Sequence, residues 1–182
     1  MKKRTSRRIF LSKTAIATTG LAFLSTETLS AFTKDTHLEG YNQFAEEKTD
    51  LRTSILGNHV QIEGVVFDKT GSIPLSNATI EVWHLSPNST KYRHRAKLKT
   101  NQKGAYRFIT DFPQRETAKT PKIFFKITHE GKTYFTELAV DQTGAYITSK
   151  HWEQSQGLGE KLFPVTSKFL NKSNINFNLL IN

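Results

Sequence analysis

Four histidines and a tyrosine are the side chains of this sequence that first suggest metal chemistry, since imidazole nitrogens bind transition metals. The four histidines are His59, His84, His94 and His129. His94 would share a strand face with Tyr92 if that segment is extended. No two of the histidines have a strong metal-ligand spacing, so the residues alone favour surface or half-buried imidazoles. No nucleophile–histidine–acid arrangement can be read from the spacing either.

The stretch 120–127, Thr-Pro-Lys-Ile-Phe-Phe-Lys-Ile, has the alternation of a central β-strand. One face would carry Ile123, Phe125 and Ile127, and the other Lys122, Phe124 and Lys126. The first face is half of a hydrophobic core. The second mixes two cations with an aromatic ring and is neither ordinary core nor ordinary surface.

Short β-runs separated by turn residues begin at residue 59. The predicted strands are 59–67, 78–84, 105–110, 122–129, 132–140 and 174–181. Glu130-Gly131 is a hairpin signal between two of them. The pattern predicts an all-β fold for residues 59–182, an antiparallel β-sandwich of about seven to nine strands. Residues 32–58 are expected to form an arm that packs on the sandwich, with a helical turn near 42–48.

Length and charge restrict the class of function. The chain of 182 residues has room for one domain with appendages. Its formal net charge is +10, but residues 1–31 contain six basic residues and one acidic residue, so the remainder carries +5. This modest, scattered charge does not predict nucleic-acid binding. The absence of cysteine excludes a disulfide framework and a thiolate metal site.

Residues 1–31 have the features of an export signal. A basic start leads into Ser-Arg-Arg-Ile-Phe-Leu at positions 6–11 and a weakly apolar run over 14–24, which is too short to span a bilayer. The segment resembles a twin-arginine signal peptide, in which the twin-arginine translocase would recognise Arg7 and Arg8. We therefore expect an exported protein, periplasmic or extracellular, with no stable membrane insertion after cleavage near Ala31.

The sequence also resembles the intradiol ring-cleavage dioxygenases over most of the chain after the signal. The most specific part is 74–84, where Asn77-Ala78 and Trp83-His84 form the pattern Asn-Ala-x-x-x-x-Trp-His. Further similarity lies in segments 39–41, 52–55, 62–68, 91–94, 100–108, 112–113, 120–127 and 136–138. The resemblance implies a β-sandwich core and, in an active member, ferric iron that binds a catechol.

Enzymes of that family hold Fe(III) through two tyrosinates and two histidines, ligands that suit a ferric ion. The resemblance places Tyr92 at the first tyrosine position and Glu116 at the second. It places Lys122 and Phe124 at the two histidine positions. Lys119 falls where the family has an arginine that polarises the substrate, and it keeps the charge without the bidentate fork.

These substitutions predict a degenerate iron site in which Tyr92 is the only retained ligand, because phenylalanine cannot bind a metal and an ammonium repels one. The resemblance then implies a pseudoenzyme or other binding protein that has no cofactor and takes a small aromatic ligand. We expect Lys122 to replace the iron charge by pairing with Glu116 and hydrogen-bonding Tyr92. Two alternatives remain, an active dioxygenase with Fe(III) in a site rebuilt from other residues, and a transthyretin-like structural module.

Overall fold

The computed structural model describes residues 39–115 and 119–181. The expected signal segment with Arg7 and Arg8, and also Glu116, lie outside the described residues. Ten strands form in the described part: β1 His59–Phe67, β2 Thr79–His84, β3 His94–Lys99, β4 Ala105–Asp111, β5 Lys122–His129, β6 Lys132–Val140, β7 Ala145–Ile147, β8 Val165–Phe169, β9 Lys172–Asn176 and β10 Leu179–Leu180. An α-helix, α1 Ser149–Gln154, and a 3-10 helix, Gln156–Leu162, lie between β7 and β8.

Five strands form an antiparallel front sheet in the order β3-β2-β5-β6-β7. Strand β5 lies at its centre. Glu130 and Gly131 both have positive φ, 47° and 78°, as a tight hairpin turn requires, and the turn pairs His129 with Lys132. The predicted hairpin is confirmed, and its register decides which side chains of β5 and β6 face each other.

The other five strands form the back sheet around β1. Strand β4 pairs with β1 on one side in antiparallel fashion, and β9 and β10 pair on the other side in parallel. The pairs His59–Lys172 and Val66–Leu179 keep the same register, so β9 and β10 are two parts of one interrupted strand. The all-β prediction is confirmed, but the expected closing strand 174–181 is divided and runs parallel to β1 rather than antiparallel.

Ten strands exceed the seven to nine expected because three edge strands have weak local strand signals. Strand β8 is exposed at four of its five positions, and β7 has only three residues. Strand β3 alternates basic residues with an alanine and a leucine, and Lys and Ala are weak strand formers. Pairing with an established neighbour, rather than local pattern, produces these strands.

Gly64 allows the last strand to approach β1. A Cβ atom at this position would overlap the backbone carbonyl of Phe177. That residue is held on both sides, since its N–H donates to Glu63 O (2.8 Å) and its carbonyl accepts from Tyr106 O–H (2.6 Å). A side chain at residue 64 would therefore push the final strand away from the sheet.

The hydrophobic core lies between the two sheets. Ile123, Phe125 and Ile127 are fully buried there, as the alternation predicted. The Phe125 ring packs between Phe108 and Phe177, with centroid distances of 6.2 and 5.4 Å. Burial of a side chain of this size stabilises the fold by roughly 1.5–3 kcal/mol. The intervening residues of β5 point to the outer face of the front sheet.

Residues 39–58 run along one side of the sandwich, where both sheets end. Glu47 forms a bridge with Lys97 of β3, and Asp50 forms one with Ile109 of β4. These bridges satisfy backbone groups at the edge of each sheet, which would otherwise be open to pairing with another chain. Leu51 follows and is buried in the core.

The helical turn expected near 42–48 does not form. Ala45 N–H donates to Asn42 O (3.2 Å), and the chain then becomes extended. Lys97 N–H donates to Glu46 O (2.8 Å), and Lys48 N–H donates to Lys97 O (3.2 Å), so strand pairing replaces helical bonds. In the described residues, no helix has the length and apolar character needed to cross a membrane.

Candidate functional site

Lys122, the first residue of β5, forms an ion pair on the outer face of the front sheet. Its Nζ lies 2.6 Å from Oε1 of Glu137 on β6. The Glu137 side chain is 7% exposed and that of Lys122 40%. In the hairpin register Glu137 faces Phe124 directly, and Lys122 reaches it along the diagonal. The structure thus pairs Lys122 with Glu137, while the expected partner Glu116 lies outside the described residues.

Lys126, two residues beyond Phe124, is held by a second buried carboxylate. Its Nζ lies 2.7 Å from Oε2 of Glu81 on β2 and donates to the Tyr41 hydroxyl at 2.6 Å. The same hydroxyl donates to Oε1 of Glu81 at 3.1 Å, and Lys97 Nζ lies 3.7 Å from that oxygen. Each lysine on this face of β5 is therefore neutralised by an acid from an adjacent strand.

The electrostatics of this group follow from burial and hydrogen bonding. Burial alone lowers the pKa of Lys126, but the hydrogen bonds to Glu81 and Tyr41 outweigh it and raise the pKa above its ordinary value. Burial raises the pKa of Tyr41. The ammonium therefore stays charged and the phenol stays neutral over the physiological range.

Aromatic rings fill the space between the two ion pairs. Trp83 of β2 stacks on Phe124 with a centroid distance of 5.7 Å and an interplanar angle of 17°. Tyr41 covers the indole at 5.2 Å, and the indole N–H donates to Glu39 O (3.0 Å). Only 2% of Trp83 is exposed. Residues at the start of the described arm therefore cover this part of the outer face.

Tyr92 lies beside this aromatic group. Its half-buried ring is 6.3 Å from Phe124 and packs so closely against Gly40 that a Cβ atom there would overlap the ring. Lys119 is exposed in the loop before β5. The structure thus brings Tyr92, Lys122 and Phe124 together on the outer face of the front sheet.

The candidate histidines lie elsewhere: His84, His94 and His129 are on the core side of the front sheet, and His59 begins β1 of the back sheet. The expectation of surface or half-buried imidazoles is wrong for His59, His84 and His94, which are buried. His84 and His94 stack at 4.7 Å. His94 contacts Asp111 through Nε2 (2.9 Å) and Ser86 Oγ through Nδ1 (2.8 Å). His59 Nε2 approaches the other oxygen of Asp111 at 3.4 Å. His129 is half-buried at the end of β5.

Ser86, His94 and Asp111 form a hydrogen-bonded series of a hydroxyl, an imidazole and a carboxylate. The spacing of these residues in the sequence did not predict it. Ser86 is 5% exposed, and its Oγ accepts the Arg93 backbone N–H (3.0 Å), so this hydroxyl is occupied inside the protein. Ser86 N–H also donates to Lys91 O (3.0 Å). The network therefore fixes the ends of the loop that carries Tyr92.

Protonation states in this network follow from its burial. Burial lowers the pKa of His84 to about 3, so the imidazole is neutral. Burial by itself raises the pKa of Asp111, but hydrogen bonds from the Thr53 hydroxyl and backbone N–H, and from His94, outweigh it and lower the pKa. A charged carboxylate surrounded by satisfied donors stabilises the end of β4.

Solved structures show which known proteins share this architecture, although no protein-family model matches the chain and no curated protein matches it. The dioxygenase domain of a dioxygenase carbohydrate-binding protein fusion from Streptomyces sp. SirexAA-E has a TM-score of 0.59 and 16% identity, over 78% of this chain and 92% of that one. An intradiol ring-cleavage dioxygenase from Tetranychus urticae has a TM-score of 0.59 and 15% identity, over 78% and 89%. The 3-chlorocatechol 1,2-dioxygenase from Rhodococcus opacus 1CP has a TM-score of 0.56 and 14% identity, over 78% and 68%. The chain has the intradiol dioxygenase fold.

At the positions where the resemblance places the family's metal ligands, the three described side chains do not fit ferric iron. Tyr92 supplies one phenol oxygen. Lys122 presents a cation that Glu137 already binds, and Phe124 has no donor atom and is stacked on Trp83. Within residues 39–115 and 119–181, no group of three histidine, aspartate or glutamate side chains could hold a metal ion. Two of these side chains are thus engaged in other contacts, Lys122 in an ion pair and Phe124 in an aromatic stack.

Sequence reasoning missed Glu81, Glu137, Ser86 and Asp111. The signal for Glu137 was present, since a two-residue turn at Glu130-Gly131 sets a register in which it faces Phe124. Glu81 meets Lys126 from a distant segment, and Asp111 reaches His94 only when the back sheet packs on the front sheet. Ser86 meets His94 across the loop between β2 and β3. An acid in the middle of an otherwise apolar strand is a further signal that fits both glutamates, because a buried carboxylate requires a partner.

Proposed function

We propose that this protein is an exported, non-catalytic binding protein, a pseudoenzyme with the intradiol fold. The observation that carries the proposal is the Lys122–Glu137 ion pair at one histidine position of the family, next to Phe124 stacked on Trp83 at the other. Iron would have to displace an ammonium that lies 2.6 Å from its carboxylate and would gain no ligand from the phenyl ring.

The chemistry of the remaining groups supports binding rather than ring cleavage. Lewis-acid activation of a catechol needs a metal whose charge is set by its own ligands. Here the positive charge is supplied by lysine side chains, which cannot bind both oxygens of a catecholate as a metal ion would and cannot withdraw electron density from its ring as a Lewis acid does. A ring-shaped ligand next to Tyr92 and Tyr41 would be held by stacking and hydrogen bonds.

Oxygen uptake by the full-length chain tests this proposal. After incubation with ferrous or ferric iron, we expect no uptake with catechol, protocatechuate or hydroxyquinol above that of buffer, and no tyrosinate-to-iron charge-transfer band in the visible. A triple variant, Glu116→Tyr with Lys122→His and Phe124→His, is the positive control and should gain such a band. Uptake and ring opening by the wild-type chain would overturn the proposal in favour of an active dioxygenase with a rebuilt site.

Tryptophan fluorescence separates a binding protein from a structural module. The chain has two tryptophans, the buried Trp83 and the 45% exposed Trp152. In a Trp152→Phe variant the emission comes from Trp83 alone, which contacts Tyr41 and Phe124. We expect saturable changes in this emission with small aromatic compounds; the complete lack of a response, together with no heat in calorimetry, would favour a transthyretin-like structural role.

A further inference from the structure

A surface groove lies outside the aromatic stack, between the start of the described arm and the loop that leads into β3. Its volume is about 830 Å³, within the range of roughly 300–1,000 Å³ that is usual for small-molecule sites. The side chains that matter for its chemistry are Tyr41, Phe44, Lys91, Tyr92, Arg93 and Arg95. We refer to it as the cationic groove.

Three cations and no acid line the cationic groove. In the described part of the chain, the side chains of Lys91, Arg93 and Arg95 have no hydrogen bond or ion pair with another residue. This differs from the rest of the same face, where Lys122 and Lys126 each have a buried glutamate partner. Like charges held together without a counter-charge repel one another, so an anion in the groove would relieve this repulsion.

Aromatic side chains form the other part of the wall. Phe44 is 80% exposed at the mouth of the groove, so its ring is available to a ligand. Tyr41 and Tyr92 lie deeper and are held in place by Trp83 and Gly40. Aromatic faces of this kind pack against flat rings, including sugar rings.

The charge pattern limits the size of the anion. Beyond Arg95, β3 continues with Lys97, which already faces Glu81 at 3.7 Å. Glu46 and Glu47 of the arm lie next to this part of the strand. A long polyanion that followed β3 would meet these acids, so the free positive charge is confined to a length suited to a small ligand.

We infer that the cationic groove binds a carboxylate carried on a ring, with Arg93 or Arg95 on the carboxylate and the ring against the aromatic wall. Arginine suits this role because its planar fork matches two carboxylate oxygens. This ligand class rests on the proposed function, because a non-catalytic protein would retain the bound ring rather than cleave it. An aromatic acid and a uronic acid share this chemistry.

Isothermal titration calorimetry of the full-length chain at low salt provides the test. The probes are benzoate and glucuronate, their neutral counterparts benzyl alcohol and methyl glucoside, and acetate. We expect benzoate or glucuronate to bind at least tenfold more tightly than both its neutral counterpart and acetate, with an affinity that falls as salt is added. Which of the two binds identifies the source of the carboxylate.

The variants Arg93→Gln and Arg95→Gln test the assignment of the cations. At least one should lower the affinity for the preferred acid by tenfold or more. Lys103→Gln, in the exposed turn between β3 and β4, should leave that affinity unchanged. Unchanged thermal unfolding of each variant shows that the fold is retained. The inference would be overturned if the neutral compound or acetate bound as tightly as the acid, or if neither ring acid bound. It would also be overturned if both arginine variants kept the wild-type affinity. The proposed function fails by a different readout, oxygen uptake with catechols.

Discussion

Lys122 Nζ and Glu137 Oε1 are 2.6 Å apart across neighbouring strands, at a position where the intradiol resemblance places a histidine ligand. The carboxylate is almost fully buried and the ammonium is partly exposed, so the pair lies at the boundary between the sheet and solvent. A cation from the chain itself thus balances the charge of Glu137, and this balance can be tested by removing either partner.

Lys122→Met alone should destabilise the fold by about 1–3 kcal/mol, because it removes the cation that lies 2.6 Å from a buried carboxylate. The partial exposure of Lys122 keeps the cost below that of a fully buried pair. Glu137→Gln alone should cost less, since the lysine can turn to water. The double variant should recover part of the loss, giving a coupling energy of at least about 0.5 kcal/mol in a denaturant double-mutant cycle. Lys132→Met, at the exposed hairpin end, is the control. Additive effects at Lys122 and Glu137 would mean that the two charges are not coupled in solution.

Gly64→Ala and Gly144→Ala form a matched pair. In the first variant the new methyl group overlaps the backbone carbonyl of Phe177. In the second it meets the side chains of Thr166 and Tyr146 at ordinary contact distances of 3.6 and 4.0 Å. We expect Gly64→Ala to lower the free energy of unfolding by about 1–3 kcal/mol or more, as overpacking does, and Gly144→Ala to change it little. Thermal unfolding of both variants measures this; equal melting temperatures would contradict the close approach of the final strand to β1.

Acidification should reduce stability through the buried histidines. Burial lowers the pKa of His151 from 6.5 to about 4, and that of His84 to about 3. A folded pKa below the unfolded value means that the unfolded chain binds protons first, so this stability is complete above pH 6.5 and is lost as the pH falls toward 4. Each histidine contributes a slope of up to about 1.4 kcal/mol per pH unit in that window.

Urea unfolding at several values between pH 7 and pH 4.5 measures this slope. His151→Leu should give a flatter dependence than wild type, whatever its effect on stability at pH 7, where the loss of the hydrogen bond to Thr136 (2.8 Å) also contributes. The same slope in wild type and His151→Leu would show that this imidazole does not resist protonation.

Export can be tested independently of any structural result. Replacing both Arg7 and Arg8 by lysine should keep the precursor in the cytoplasm, because the receptor of the twin-arginine pathway recognises the arginine pair rather than positive charge in general. Fractionation and immunodetection of the expressed full-length chain provide the measurement, and the pair Lys2→Arg with Lys3→Arg is the control. Undiminished export of the lysine variant would refute the twin-arginine assignment.

The sequence by itself determined the features that depend on local alternation and turn chemistry. The inward face of β5, with Phe125 at its centre, follows from a period of two, and the β5–β6 hairpin follows from Glu130-Gly131, because short-range geometry leaves few alternatives. The same alternation was sufficient for the all-β class. The Asn-Ala-x-x-x-x-Trp-His pattern pointed to the intradiol fold that the solved structures share.

The contacts between strands that no short turn joins follow from the tertiary structure alone. The pairing of Lys126 with Glu81 and the parallel return of the last strand beside β1 join segments far apart in sequence. The Ser86–His94–Asp111 chain is closer in sequence but crosses from the front sheet to the back sheet. Such contacts depend on how the strands associate, and a shift of one residue in register would turn the same side chains to the opposite face of the sheet. The Lys122–Glu137 pair lies between these cases, since its hairpin is local but its energetic role depends on the burial that the assembled front sheet provides.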